Sequence, residues 1–187
     1  MNATLANRAN ARKKDDANPA GTLRLKIESA LGAFVAHYSH AGLCGLDFPS
    51  RHASNMPCAS DSGVSFKVAQ WHAITSRALN GVLAGRQPEK LPPMDLSAGT
   101  AFQQSVWRAM LEIRCGETRS YGEIARAVRN PDAVRAVGGA CGSNPIPVLI
   151  PCHRVLAANK RIGGFSAGLD WKRKLLAIES PGLFAKA

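Results

Sequence analysis

Residues 144–155 read N-P-I-P-V-L-I-P-C-H-R-V. A run of bulky apolar residues bracketed by prolines has the look of a buried strand, yet it ends in a thiol, an imidazole and a guanidinium. One reading is a strand end with a buried cysteine and a solvated arginine. The other is a nucleophile. A free thiol titrates near about 8.5, so little of it is thiolate at neutral pH, and a nearby imidazole raises that share. Neighbours along a strand point to opposite faces. Cys152 and His153 therefore cooperate only if the chain turns at Pro151, or through a bridging water.

The sequence before this stretch is punctuated by helix signals. Thr100-Ala-Phe-Gln103 and Ser120-Tyr-Gly-Glu123 are two capping boxes, each opening a helix. Phe102, Val106, Trp107, Met110, Leu111 and Ile113 share one side of the first. The second, Y-G-E-I-A-R-A-V, is short and stops at Asn130-Pro131, which reads as an N-cap followed by proline at the first helical position. The next helix, P-D-A-V-R-A-V-G-G-A-C, is expected to turn Ala133, Val134, Val137 and Cys141 inward. Two short helices joined by a tight turn in a basic segment match a helix-turn-helix. The outer face of the second carries Ala136, Gly138, Gly139 and Ala140, with Arg135 among them. Each glycine costs about 1 kcal/mol against alanine inside a helix. Close packing of a neighbour offsets that, or close approach to DNA with Arg135 reaching into the base stack; periodicity alone slightly favours packing.

The first half is read more coarsely. Residues 1–21 look like a disordered tail. From Thr22 to about Phe48, L-R-L-K-I, A-F-V-A-H-Y and G-L-C-G-L-D-F read as short strands with glycine turns. A loop over about 49–63 precedes a helix over about 66–84, and G-R-Q-P-E-K-L-P-P (85–93) reads as a linker. After the cysteine motif comes a glycine-rich return, R-I-G-G-F-S-A-G-L (161–169). A last amphipathic helix, about 170–179, carries Trp171, Leu175 and Ile178.

The 187 residues carry 24 Lys+Arg against 13 Asp+Glu, a formal charge of +11. Between Arg119 and Arg161 seven basic residues face only Glu123 and Asp132, so the excess surrounds the opening motif, where a phosphate-facing surface uses it. Five cysteines, scattered and without a C-x-x-C pair, argue against a disulfide framework and for a reducing compartment. No apolar stretch reaches membrane-spanning length, and the N-terminus lacks a signal-peptide core. The expectation is a soluble cytoplasmic protein. On the residues alone, Cys152 is a candidate reactive cysteine in a nucleic-acid-binding domain.

Five blocks carry a resemblance. G-T-A-F-Q-Q-S-V-W (99–107), G-E-T-R-S-Y-G-E-I-A (116–125), A-V-R-A-V-G-G-A (133–140), N-P-I-P-V-L-I-P-C-H-R-V (144–155) and G-G-F-S-A-G-L (163–169) stand in the order and spacing of the O6-alkylguanine-DNA alkyltransferases. The stretch from Thr100 to Glu179 resembles that family; residues 22–95 are compatible with its variable N-terminal part. The resemblance implies an α+β chain. A small N-terminal α/β domain of ribonuclease H-like type (22–95) would be followed by a winged helix-turn-helix-like domain (96–182) that binds DNA and accepts the alkyl group. Cys152 would attack the alkyl carbon on guanine O6 in a flipped-out nucleotide, with His153 as its base through water and Glu179 orienting the imidazole. Tyr121 would bond the guanine ring, the Ser166 backbone would contact O6, and carbonyls of Cys152 and Val155 would read the exocyclic amine. Arg135 would fill the vacancy in the stack, with Ala136, Gly138 and Gly139 against the minor groove. Asn144 would tie that helix to the cysteine loop, and Phe165 would wall the alkyl pocket. The thioether product resists hydrolysis, so each molecule is expected to act once.

The implied partner is double-stranded DNA containing O6-alkylguanine, with O4-alkylthymine as a second candidate; neither cofactor nor metal is called for. A monomer of bacterial type, nucleoid-associated when bound and with clustering along DNA left open, completes the expectation. Arg114 and Phe165 depart from residues common in the family, proline and tyrosine. His37, His40 and Cys44 form H-x-x-H-x-x-x-C, but no fourth zinc ligand is evident. Two rival readings were a module that flips alkylguanine without repairing it, which would lack the acceptor cysteine, and a cysteine hydrolase or thiol oxidoreductase, which the helix-turn-helix does not suit.

Overall fold

The computed structural model describes residues 22–50 and 64–181. The expected tail over 1–21 and, of the expected loop over about 49–63, residues 51–63 with Cys58 lie outside the described residues. Strands β1 (Leu23–Ile27), β2 (Phe34–Tyr38) and β3 (Leu43–Asp47) form an antiparallel sheet in that order. Leu25 and Ile27 point from β1 into the core, while Arg24 is exposed and Lys26 between them only partly buried, as alternation requires. A register shift after His37 lets Tyr38 pair with Leu43. Beyond the sheet, helix α1 (Phe66–Val82) is capped by Ser65, whose Oγ accepts from the Val68 amide. It buries Trp71, Thr75, Ala78, Leu79 and Val82, a stripe at helical spacing. Phe66, at its first position, lies outside that stripe and is 79% exposed. The linker is pinned rather than loose: Leu43 N–H donates to Pro93 O and Asp95 N–H to Leu43 O.

Both capping boxes form. Thr100 opens α2 (Ala101–Leu111) and Ser120 opens α3 (Tyr121–Ala127), each with its reciprocal Gln103 or Glu123 bond. The third cap does not. Helix α4 (Val134–Gly142) begins after Ala133, without a side-chain cap. Arg129 adopts a left-handed φ of 57°, and the Asn130 amide donates back to Ala125 O. Asn130 therefore closes α3 instead of opening α4. The inward face of α4 is the expected one at Val137 and Cys141 and differs at Val134 and Ala140. Val137, Ala140 and Cys141 face inward, whereas Val134 is 41% exposed. Ala140, expected outside, is buried, and its carbonyl accepts from Trp107 Nε1 at 2.8 Å.

The apolar run 146–150 is buried but is not a strand. Ile150 N–H donates to Ile146 O at 2.9 Å and Val148 has φ of 74°. Prolines at 145, 147 and 151 remove the donors that a ladder needs, so the run coils into a buried turn. Strand β4 (Arg119–Ser120) pairs in parallel with β5 (Val155–Leu156), and helix α5 (Leu169–Glu179) follows. Buried side chains from β1 through α5 form one contiguous core. No helix among the described residues is long and apolar enough to cross a membrane.

Candidate active site

The turn at Pro151 removes the objection that a strand would raise. Pro151 (φ −81°, ψ 63°) leads into a single 3-10 turn, Cys152–Arg154, whose three side chains are all buried. Cys152 and His153 therefore do not stand on opposite faces of a strand. Asn144 organises this loop. Its Nδ2 donates to Ile150 O at 2.8 Å and to Cys152 Sγ at 3.1 Å, while its Oδ1 accepts from the Ile146 amide at 3.0 Å. Burial pushes the Cys152 thiol up; the Asn144 amide and the positive charge of Lys172 pull the other way without cancelling it. The resting thiol is therefore protonated at neutral pH, with groups in place that favour its anion once the site changes.

Behind the cysteine, His153 is fully buried, and its Nε2 lies 2.9 Å from Glu179 Oε1. Burial pushes the imidazole down, which the Glu179 hydrogen bond and charge only partly offset. A neutral ring with Nε2–H donating to Glu179 follows, and its Nδ1 carries the lone pair. That Nδ1 is a buried polar atom without a hydrogen-bond partner among the described residues. Arg154 closes the cluster: Nε donates to Glu179 Oε2 and Nη2 to Oε1, both at 2.8 Å, and Nη1 to Ile113 O at 2.6 Å. Burial raises the Glu179 carboxyl, but the bonds from His153 and Arg154 more than reverse this and hold it at about 2.

Cys152 opens onto a cavity of about 610 Å³ shared with Tyr121, Arg135, Gly138, Phe165 and Ser166. Tyr121 comes from the start of α3 and Arg135 and Gly138 from α4, so the helical pair supplies one wall. Phe165 and Ser166 come from the glycine-rich return and supply the other. Ala136 and Gly139, also on α4, are exposed. A Cβ on Gly138, Gly139 or Gly142 would meet nothing within 4 Å. No neighbour within the described chain requires those glycines, which removes packing as their explanation. Gly163 differs, because a Cβ there would stand 2.8 Å from Tyr121 Oη and 3.0 Å from its ring. Val155 is buried in β5, and its carbonyl accepts from Lys172 Nζ at 2.7 Å.

Three contributors were not singled out as site residues. Arg154, read as solvated in the bland alternative, is 3% exposed. Lys172 is completely buried and also reaches the carbonyls of Gly163 (3.5 Å) and Gly164 (3.4 Å). Its position beside Trp171 on the inner side of an amphipathic helix was the available signal. Cys141, expected to be a small core residue, also lines the cavity. His37 is engaged elsewhere, its Nε2 2.6 Å from Asp47 Oδ2, and Cys44 Sγ donates to His37 O. Among the described residues no three metal-ligating side chains converge.

Residues 101–181 match the family model described as 6-O-methylguanine DNA methyltransferase, DNA binding domain. Methylated-DNA--protein-cysteine methyltransferases of Methanosarcina mazei and Haemophilus influenzae are 55% and 57% identical over 85 and 81 residues, 46% and 43% of this chain. The match spans about half the length of those relatives, 54% and 45%. Solved structures extend the likeness to most of the chain. The Mycobacterium tuberculosis OGT, crystallised in complex with DNA, is 36% identical with a TM-score of 0.64, over 84% of this chain and 92% of its own. The O6-methylguanine methyltransferase of the same organism is 34% identical with a TM-score of 0.65, over 88% and 96%. Sequence and fold agree over both the strand-bearing half and the half that holds Cys152, and the chain belongs to the 6-O-methylguanine DNA methyltransferase family.

Proposed function

We propose that this protein repairs DNA by moving the alkyl group of O6-alkylguanine onto its own Cys152, once per molecule. The observation that carries this reading is the thiol itself, which lines a cavity with Tyr121, Arg135 and Phe165 and accepts from the Asn144 amide, with the buried His153–Glu179 pair next in the chain. In the reaction a bond forms from Cys152 sulfur to the alkyl carbon as the bond from that carbon to guanine O6 breaks. The electron pair of the broken bond stays with the guanine, and the proton lost by the thiol is balanced by one gained at the ring. The unpartnered His153 Nδ1 is the lone pair that receives the thiol proton, through a water molecule. Glu179 fixes the tautomer and stabilises the imidazolium, as in the nucleophile, base and orienter arrangement of a triad.

Attack at saturated carbon forms no tetrahedral oxyanion, so the remaining groups serve the leaving base. Tyr121 hydrogen-bonds the guanine ring, and the backbone at Ser166 meets O6. The carbonyls of Cys152 and Val155 read the exocyclic amine; since Lys172 already occupies one lone pair of the Val155 oxygen, the second is the one available. Arg135 takes the place of the flipped nucleotide, and Ala136, Gly138 and Gly139 let α4 lie against the minor groove. We also propose the finer architecture: a ribonuclease H-like unit over 22–95 and a winged helix-turn-helix-like unit over 96–182. The partner is double-stranded DNA bound by a monomer, in the cytoplasm or on the nucleoid.

The test follows guanine in the DNA. A duplex with one O6-methylguanine in a restriction site should become cleavable mole for mole with added protein and then stop. The Cys152→Ala protein should bind the same duplex and restore nothing. Restoration of several duplexes per protein molecule would overturn the single-turnover reading, and restoration by Cys152→Ala would overturn the assignment of the acceptor.

A further inference from the structure

The half of the chain that carries the sheet touches the cavity through a chain of aromatic rings. Phe48, just past β3, lies 5.8 Å from Phe165, centroid to centroid and edge-on at 80°. Its other faces meet Trp171 of α5 at 4.8 Å and Phe34 of β2 at 5.5 Å, and Phe34 also meets Trp171 at 5.9 Å. Two residues earlier, the Leu46 amide of β3 donates to Pro145 O at 2.9 Å, beside Asn144. The end of β3 thus holds both sides of the site: the cysteine loop by a backbone hydrogen bond, and the cavity wall by a ring.

Phe165 needs such a support. It is only half-buried, and the two glycines before it bring no side chains against its ring. Lys172 fixes the carbonyls of Gly163 and Gly164, and the Gly168 amide donates to Phe165 O at 3.1 Å. Those bonds hold the main chain and leave the Phe165 ring free about its side-chain torsions. Among the aromatic contacts of the described residues, the ring of Phe165 is met by Phe48. An edge-to-face pair is favourable beyond the area it buries and so selects one ring orientation.

We propose that Phe48 is a positioning residue that sets which alkyl groups the site transfers. It holds the Phe165 ring as a flat wall against the group on O6. This rests on the alkyl-transfer reading and adds the sheet-bearing half as a determinant of alkyl selectivity. A methyl group is too small to use the wall. A flat arylmethyl group stacks on it, and loses that support when the ring can swing.

The experiment compares single-turnover transfer from duplexes carrying O6-methylguanine and O6-benzylguanine. Phe48→Ala and the milder Phe48→Leu are measured beside the unaltered protein, with thermal melting recorded for each. Expected is at least a tenfold loss of the benzyl rate with the methyl rate within about twofold, a smaller loss of the same kind for Phe48→Leu, and recovery in Phe48→Tyr. Equal losses on both substrates, or unchanged rates on both, would overturn the proposal. Failure of the unaltered protein to transfer from either duplex would instead overturn the alkyl-transfer reading on which it stands.

Discussion

Arg154 and Glu179 meet in a two-pronged ion pair, Nε to Oε2 and Nη2 to Oε1, both 2.8 Å, and both side chains are nearly solvent-free. Glu179 is the penultimate link of the chain of contacts that ends at His153, and it is held from two sides. Removing its charge leaves Arg154 buried without a counter-ion. Loss of one partner of a buried pair costs about 3–5 kcal/mol. Glu179→Gln should therefore unfold at markedly lower denaturant concentration, while the exposed pair Arg173–Asp170 should contribute almost nothing when Asp170→Asn is made. Urea titrations of both variants check this.

The same cluster predicts how stability varies with pH. Glu179 titrates at about 2 in the folded chain, below its ordinary carboxylate value of 4.5. Its contribution is therefore present above that ordinary value and lost as pH falls through the folded one. His153 is also held below its ordinary value of 6.5, by burial. The unfolded chain binds that proton first, so stability already declines as pH drops below the mid-sixes. Denaturation curves from pH 8 to 3 should show this two-stage fall, and His153→Asn should remove the upper stage.

Gly138 separates folding from DNA binding. With open space around its Cβ position, Gly138→Ala should raise helix stability by about 1 kcal/mol. Gly138→Gln should also fold, yet lose at least tenfold in affinity for duplex DNA. Melting and fluorescence-anisotropy titrations measure the two effects independently.

Gly163 and Tyr121 make the opposite case. A methyl group at Gly163 runs into the Tyr121 ring and hydroxyl, so Gly163→Ala must displace the phenol from the cavity. Transfer should slow by tenfold or more with DNA affinity little changed, because α4 is untouched. Gly164, where a Cβ meets nothing, should tolerate alanine with a smaller effect.

Asn144 makes three hydrogen bonds from a 4% exposed position. Each group left unsatisfied costs about 1–3 kcal/mol. Asn144→Ala should lose stability on that scale and should also leave the Cys152 thiol harder to ionise, since its amide is the first group opposing the effect of burial. Thiol alkylation rate against pH reads the second effect apart from the first.

Local chemistry was legible in the sequence where it was decided locally. The Thr100 and Ser120 capping boxes formed as written, because each bond closes within four residues. The three strands stand where the apolar segments and glycine turns put them. What escaped depended on distant partners. Asn130 and Pro131 carry the letters of a helix start, but a left-handed Arg129 uses Asn130 to end the previous helix. The run 146–150 is as apolar as a strand, and only its prolines hint at a coil. Arg154 and Lys172 look like surface charges; their burial requires Glu179 in one case and the carbonyls of Val155, Gly163 and Gly164 in the other. Phe48 gave no sign of its role, since a ring contact across more than a hundred residues leaves no periodicity.

The central claim is that Cys152 is the acceptor, and intact-mass spectrometry after incubation with a duplex containing O6-methylguanine tests it most directly. The account predicts that each chain gains the mass of one CH2 unit, that digestion places it on the peptide holding Cys152, and that undamaged duplex leaves the mass unchanged. An unchanged mass in protein that binds the damaged duplex tightly, or a gain located on Cys141 instead, would contradict it.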